Sequence, residues 1–309
     1  MTWLTRRSEE HPARRLKRLL AGGDALTAPG VFDGMTALLA KRAGARILYL
    51  SGAALSASLG LPDVGLFARD ELRRAAEQVV RATALPLIVD ADTGFGGPLA
   101  VMRTVRELED AGCAAVQIED QEDPKRCGHL EGKRVVECDR MLEKVAAAVS
   151  ARRDLLVVAR TDARATHGLE EAIRRGVAFS QAGADVVFPE ALGSEEEFAT
   201  YASAVPGPLL ANMTEWGKSP LLPTRRLAEL GYRIVIFPVS AARIAARAVE
   251  AFYADLTSAG SQTGWLDRMM TRDELYQVLD YDAYTELDRG LARHPDRIPS
   301  ERSDHEGPG

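Results

Sequence analysis

The sequence predicts an α/β protein folded as a single (β/α)8 barrel of the TIM type, with an N-terminal helix and a C-terminal helical arm. Three observations carry this prediction. Short β-branched or apolar runs alternate with longer stretches of helical periodicity. Eight such units fall within roughly 230 residues, which fits a closed barrel better than an open doubly wound sheet. The strand runs are almost continuously apolar, as strands buried on both faces must be.

Taken in order, HPARRLKRLLAGG reads as a helix stopped at Gly22-Gly23. Candidate strands follow at 25–33, 45–52, 85–93, 114–120, 155–161, 184–190, 207–214 and 232–240. A helical segment succeeds each one, as in MTALLAKRAG and PLAVMRTVRELEDAG. Ala43-Gly44, Ala111-Gly112 and Ala182-Gly183 close helices with the residue that most freely turns left-handed. The barrel and its first helix are expected to occupy 1–260. Residues 261–295 read as the helical arm, and 296–309 as a polar tail expected to be disordered.

Composition narrows the function. Of 309 residues, 46% are apolar and 27% charged, which suits a globular chain and not a disordered one. No apolar run reaches the roughly 18 residues of a membrane span. The first residues lack the apolar stretch of a secretory leader, so a cytoplasmic protein is expected. A net charge of −6 gives no electrostatic support for nucleic-acid binding. Three cysteines are an odd number, and reduced thiols are the default. Only 6 of the 39 basic residues are Lys, which makes each Lys worth inspection.

Chemistry in such a barrel sits where the strands end. The candidate strands end in Asp33, Ser51, Asp90 with Asp92, Glu119 with Asp120, Arg160 with Asp162, Glu190, Asn212 with Thr214, and Ser240. Asp90 and Asp92 lie two apart, so strand alternation would point both to one side. With Asp63 and Glu119 they form a carboxylate cluster that repels itself unless a cation lies within it. Hard oxygen donors without His or Cys favour Mg2+, with Mn2+ as the alternative. The long 121–137 loop carries Lys125-Arg126-Cys127-Gly128-His129. Cationic neighbours lower a thiol pKa and suit it to proton transfer. Cys113 and Cys138 read as structural or incidental. Arg160 and Arg243, with Glu190, Asn212 and Thr214, describe a pocket for a small anionic substrate.

APGVFDGMTALLAKRAG, YLSGAALSASLGLPDVGL, LIVDADTGFGG, PKRCGHLEGK, ARTDARA, FPEA, LLANMTEWGKSPL and FPVSAAR resemble the isocitrate lyase/phosphoenolpyruvate mutase superfamily, most closely its 2-methylisocitrate lyases. The resemblance runs from about residue 10 to about residue 290. It implies a barrel that exchanges its last helix between subunits, generally as a homotetramer of swapped dimers. It implies Mg2+ at Asp90 and Asp92, with Asp63 and Glu119 around it. Ser51, Gly52 and Ala53 would contact the hydroxy-acid end of a di- or tricarboxylate. Arg160, Glu190, Asn212, Thr214 and Arg243 would complete the pocket. Cys127 would be the catalytic acid, Lys125, Arg126 and His129 would shape its loop, and Tyr49 is the candidate base. The implied activity is cleavage of 2-methylisocitrate to pyruvate and succinate, in propionate catabolism by the methylcitrate cycle. A 2,3-dimethylmalate lyase or another 2-hydroxy-dicarboxylate lyase is the alternative. An isocitrate lyase, a phosphonomutase and a non-catalytic barrel stand further back. Ala53 and Ala54, where many methylisocitrate lyases have more Gly, bear on the substrate and not on the reaction class.

Overall fold

Eight parallel strands close into a barrel in sequence order: β1 Leu26–Val31, β2 Leu48–Leu50, β3 Leu87–Asp90, β4 Ala115–Glu119, β5 Leu156–Thr161, β6 Val186–Pro189, β7 Leu209–Asn212 and β8 Tyr232–Phe237, with β8 pairing back onto β1. The computed structural model describes residues 2–6, 10–126, 128–129 and 132–293. It separates into two compact units. One spans Ser8–Gln262 and holds the barrel; the other joins Met1–Arg7 to Thr263–Gly309. The 296–309 tail lies outside the described residues.

The period-2 alternation of a strand sorts its side chains between two cores. Leu48, Leu50, Leu87, Val89, Val116, Ile118, Val157 and Ala159 face outward into a core shared with the surrounding helices. Leu26, Ala28, Tyr49, Ile88, Ala115, Leu156, Val158, Val186, Phe188, Leu210, Ile234 and Ile236 form a second core. These are the alternate positions of the same strands, so this is the barrel interior. The N-terminal helix Pro12–Ala21 joins that interior core through Ala13, Leu16 and Leu20. His11 caps it, its Nδ1 accepting from the Ala13 amide at 3.3 Å.

The inward rows of β3, β4 and β5, continued toward the strands' C-terminal ends, run from apolar to polar. In β5 it reads Leu156, Val158, Arg160. In β4 it reads Ala115, Gln117, Glu119, and in β3 Ile88, Asp90. The register sets Glu119 beside Arg160 and Asp90 beside Gln117. Sequence order, parallel pairing and alternation together bring these groups to one mouth.

All eight expected strands are present, and three details differ. Residues 52–58 form a separate helix, Gly52–Ser58, before the barrel helix Arg69–Thr83. Ser51 caps that short helix, accepting from the Ala54 amide at 3.3 Å. β8 ends at Phe237, so Ser240 is not a strand end; it begins the helix Ser240–Ala259, and its hydroxyl donates to Glu215. Asp33 is a helix cap, accepting from the Thr36 amide at 2.7 Å. None of the twenty residues of Ser240–Ala259 is buried; Ile244 is 71% exposed and Tyr253 59%. In the second unit, Thr271 caps the helix Arg272–Val278, and Tyr281–Arg293 follows. Exchange of a helix between subunits is not visible in a single chain.

Candidate active site

Asp90 ends β3 on the inward row. Its Oδ2 accepts from the Gly52 amide at 3.1 Å, and its Oδ1 from Gln117 Nε2 at 3.0 Å. Asp92 reaches the same place for a reason other than alternation: the strand has ended, and Asp92 adopts a left-handed backbone with φ +49°. Such a conformation is uncommon outside Gly, Asn and Asp, and short polar side chains tolerate it best. A Cβ placed on Gly52 would lie 3.1 Å from Asp90 Oδ2 and 3.2 Å from Asp92 Oδ1. The two carboxylates therefore face one point, which the bare Gly52 leaves open.

The charge around that point is incompletely balanced. Asp92 Oδ1 and Glu119 Oε1 are buried without a hydrogen bond, although the Lys125 ammonium lies 2.8 Å from the former. Lys125 also bonds Asp63 and is 4% exposed. Burial pushes the Asp92 carboxyl up to about 7 despite the downward pull of Lys125, and Asp90 adds to the rise. The unbonded Glu119 oxygen and the two carboxylates facing one open point fit a hard divalent cation. Among the described residues no three acidic, His or Cys side chains close into a complete ligand set. The donors present suit an ion held by one or two carboxylates and its own waters, as Mg2+ is.

Arg160 supplies the positive side. Its Nε and Nη2 donate to Asp162 at 2.9 and 3.1 Å, and its Nη1 lies 3.3 Å from Glu119 Oε2 and 3.4 Å from Glu190 Oε2. Burial alone would raise the Glu190 carboxyl, but Arg160 and His129 hold it well below the usual range. Asp162, likewise buried, is held low by Arg160 and Lys133. Asn212 donates its amide to Glu190 Oε2 at 3.2 Å, leaving Oδ1 as an unpaired acceptor. Arg243 donates to Thr214 Oγ1 at 3.3 Å and to Glu215 Oε2 at 2.7 Å.

Lys125, Arg126, Gly128 and His129, described residues of the 121–137 loop, reach this mouth. Gln121 exchanges two hydrogen bonds with the Arg126 backbone, both 2.9 Å. His129 Nδ1 accepts from the Lys218 amide at 3.0 Å, so Nε2 carries the proton of the neutral ring and faces Glu190 Oε1 at 3.0 Å. Gly128 lies on the Arg160–Glu190 pair so closely that a Cβ there would meet Arg160 Nη2 and come within 2.6 Å of Glu190 Cγ. Glycine is required there by contact. Cys127, between Arg126 and Gly128, lies outside the described residues.

Tyr49, Ser51, Ala53, Asp63, Asp90, Lys125, Arg126, Gly128, His129, Arg160, Glu190, Asn212, Thr214 and Arg243 line one cavity of about 80 Å3. Asp92 and Glu119 adjoin it. Tyr49 does not stand as a free base: its hydroxyl donates to Gln117 Oε1 at 2.6 Å, and burial, with Asp90, raises its pKa well above the ordinary phenol value.

Sequence reasoning missed Gln117 and Lys133. Gln117 is the one polar residue inside an otherwise apolar strand run, and a buried amide without partners is costly; that was its signal. Lys133 is buried like Lys125 and was visible only as one of the 6 lysines.

A family model described as phosphoenolpyruvate phosphomutase matches residues 16–257. The chain belongs to the PEP mutase/isocitrate lyase superfamily. A 2-methylisocitrate lyase from Bacillus subtilis is 48% identical over 95% of this chain and 98% of its own length. A crystal structure of 2,3-dimethylmalate lyase superposes with a TM-score of 0.87 at 39% identity, covering 92% of this chain and 96% of that one. A phosphonopyruvate hydrolase solved with oxalate and Mg2+ matches at 0.82 and 29%, covering 93% and 100%. With other relatives named 2-methylisocitrate lyase at 46–47% identity, this superfamily member is a lyase. No helix among its described residues is long and apolar enough to cross a membrane.

Proposed function

We propose that the protein cleaves 2-methylisocitrate to pyruvate and succinate, with Mg2+ held by Asp90 and Asp92 and supported by Asp63 and Glu119. The observation that carries this reading is the seating of the Lys125–His129 loop, through Gly128 and His129, on the Arg160–Glu190 pair and opposite the Asp90–Asp92 cradle. Relatives named 2-methylisocitrate lyase at 46–48% identity over nearly the whole chain support the substrate.

When bound, Mg2+ would lower the pKa of a substrate hydroxyl and neutralise the neighbouring carboxylate. The residues do the rest. Ser51, Gly52 and Ala53 form the wall beside the hydroxy-acid end. Arg160, with Thr214 and Arg243, offers positive charge and donors to the remaining carboxylates. The hydroxyl gives up its proton to a carboxylate on the acidic side of the mouth; Tyr49 keeps its own proton on Gln117 Oε1 and is not the base. The bond between the hydroxyl carbon and its neighbour then breaks. The hydroxyl carbon becomes the keto carbon of pyruvate, and the bonding pair stays on the leaving fragment, spread into its carboxylate. Cys127 donates the proton that converts this fragment to succinate.

A second reading, 2,3-dimethylmalate cleavage, is favoured by Ala53 in the cavity wall and by the structural likeness above. Both substrates would give pyruvate by the same bond scission, with succinate as the other product of 2-methylisocitrate and propionate that of 2,3-dimethylmalate. We assign the chain to the cytoplasm and to a helix-swapped homotetramer. The helix exchange is supported by the wholly unburied helix Ser240–Ala259 and by an open groove of about 560 Å3 along β1, walled by Leu26, Pro29, Leu39, Ala40 and Ala43.

Metal removal tests the reaction class. Excess EDTA should abolish pyruvate release from 2-methylisocitrate, added Mg2+ should restore it, and Asp90→Asn should remain inactive at any Mg2+ level. Turnover that persists in EDTA contradicts the proposed centre.

A further inference from the structure

Lys133 lies outside the cavity wall, yet its side chain is only 2% exposed. Its ammonium donates to the Gly128 carbonyl and to Asp162 Oδ1, the latter at 2.7 Å. Asp162 is the carboxylate that takes both Nε and Nη2 of Arg160. Its own amide donates to Asp120 Oδ1 at 2.8 Å, and Asp120 in turn accepts from Thr161 and Arg175. Asp162 is thereby fixed to the barrel, while Gly128 belongs to the loop.

We propose that Lys133 is a positioning residue that fastens the loop backbone at Gly128 to Asp162, and so sets the spacing between the loop and the Arg160 guanidinium. A buried ammonium is tolerated only when it is fully paired. One compact head with three donors can serve a carbonyl and a carboxylate together. The loop's other ties differ in kind. Lys125 and His129 contact cavity-lining carboxylates directly, and Arg175 holds the loop base at the Val136 carbonyl at 2.8 Å. Lys133 alone of these acts on the backbone beside the Gly128–Arg160 contact. A misplacement of about 1 Å can cost about 100-fold in rate, so the tie would govern turnover without touching substrate. This inference rests on the proposed role of the loop in protonation.

The test uses the full-length protein with Lys133→Met and Lys133→Arg, reading amide exchange and steady-state kinetics separately. In Lys133→Met, amides at 128–133 should exchange at least tenfold faster while β5 stays protected. With 2-methylisocitrate, kcat should fall about 10- to 100-fold and KM should change less than threefold. Lys133→Arg, which keeps the charge, should recover part of the loop protection. Unchanged loop exchange in Lys133→Met overturns the proposal. Exchange that rises equally in β5 also overturns it, because the role is then general stability. If Lys133→Met does not fold, Lys133→Gln decides: its shorter, uncharged head cannot serve both Gly128 and Asp162, and unchanged loop exchange overturns the proposal. If the unmodified protein does not turn over 2-methylisocitrate but the loop still loosens in Lys133→Met, the tie stands and the substrate reading fails.

Discussion

Cys127→Ser is expected to lower kcat by about 100- to 10,000-fold while KM for 2-methylisocitrate stays within about threefold. General acid catalysis is worth roughly that range. A thiol has an ordinary pKa near 8.5, close enough to neutral pH for it to hold a proton and give it up readily. A serine hydroxyl is a far weaker acid and would deliver its proton too slowly. Substrate binding rests on the Arg160 side and on the acidic cradle, which the substitution leaves intact. Steady-state kinetics combined with substrate titration of the variant check this. Near-normal turnover removes Cys127 from the mechanism.

Arg160→Met should carry the largest cost in stability. The guanidinium lies among Glu119, Asp162 and Glu190, all 1% exposed or less. Removing it leaves three buried carboxylates around an apolar side chain of similar length. Breaking a buried charge arrangement by deleting one partner costs about 3–5 kcal/mol, or of order 10 °C in Tm for a chain of this size. The pH dependence has a definite sign. Glu190 and Asp162 have depressed pKa values, and burial would raise both were it not for Arg160. Groups of this kind contribute stability above their unfolded pKa near 4, and lose it as pH falls through the folded value. Without Arg160 burial raises both carboxyls, so the deficit of Arg160→Met should be largest at neutral pH and above and shrink as pH falls toward about 4 and below. Thermal melts across that range check it, and a deficit that does not vary with pH contradicts the assignment.

Much of this arrangement was legible in the sequence, because strand ends in a closed parallel barrel converge whatever the loops do. Arg160, Glu119, Asp90, Glu190 and Asn212 needed only alternation and strand order to be placed. Asp92 arrived where expected by a different route, a left-handed residue after the strand, which alternation cannot foresee. Ser240 was misplaced as a strand end because apolar Phe237, Pro238 and Val239 continue the run after the ladder has stopped. The helix Gly52–Ser58 escaped notice because small residues carry little amphipathic signal. Lys133 was the harder miss. Its partners are a backbone carbonyl and Asp162, 29 residues away, and no local pattern announces such a pairing. Tyr49 shows the opposite limit: its position was legible, but the hydrogen bond to Gln117 that governs its proton was not.

The central claim is the cleavage of 2-methylisocitrate. Its most direct test is product formation by the purified protein with Mg2+, with 2-methylisocitrate, isocitrate and 2,3-dimethylmalate compared at equal concentration. The account predicts pyruvate and succinate in equal amounts from 2-methylisocitrate, with the highest kcat/KM of the three. No pyruvate from 2-methylisocitrate, or a higher kcat/KM with 2,3-dimethylmalate, would contradict it.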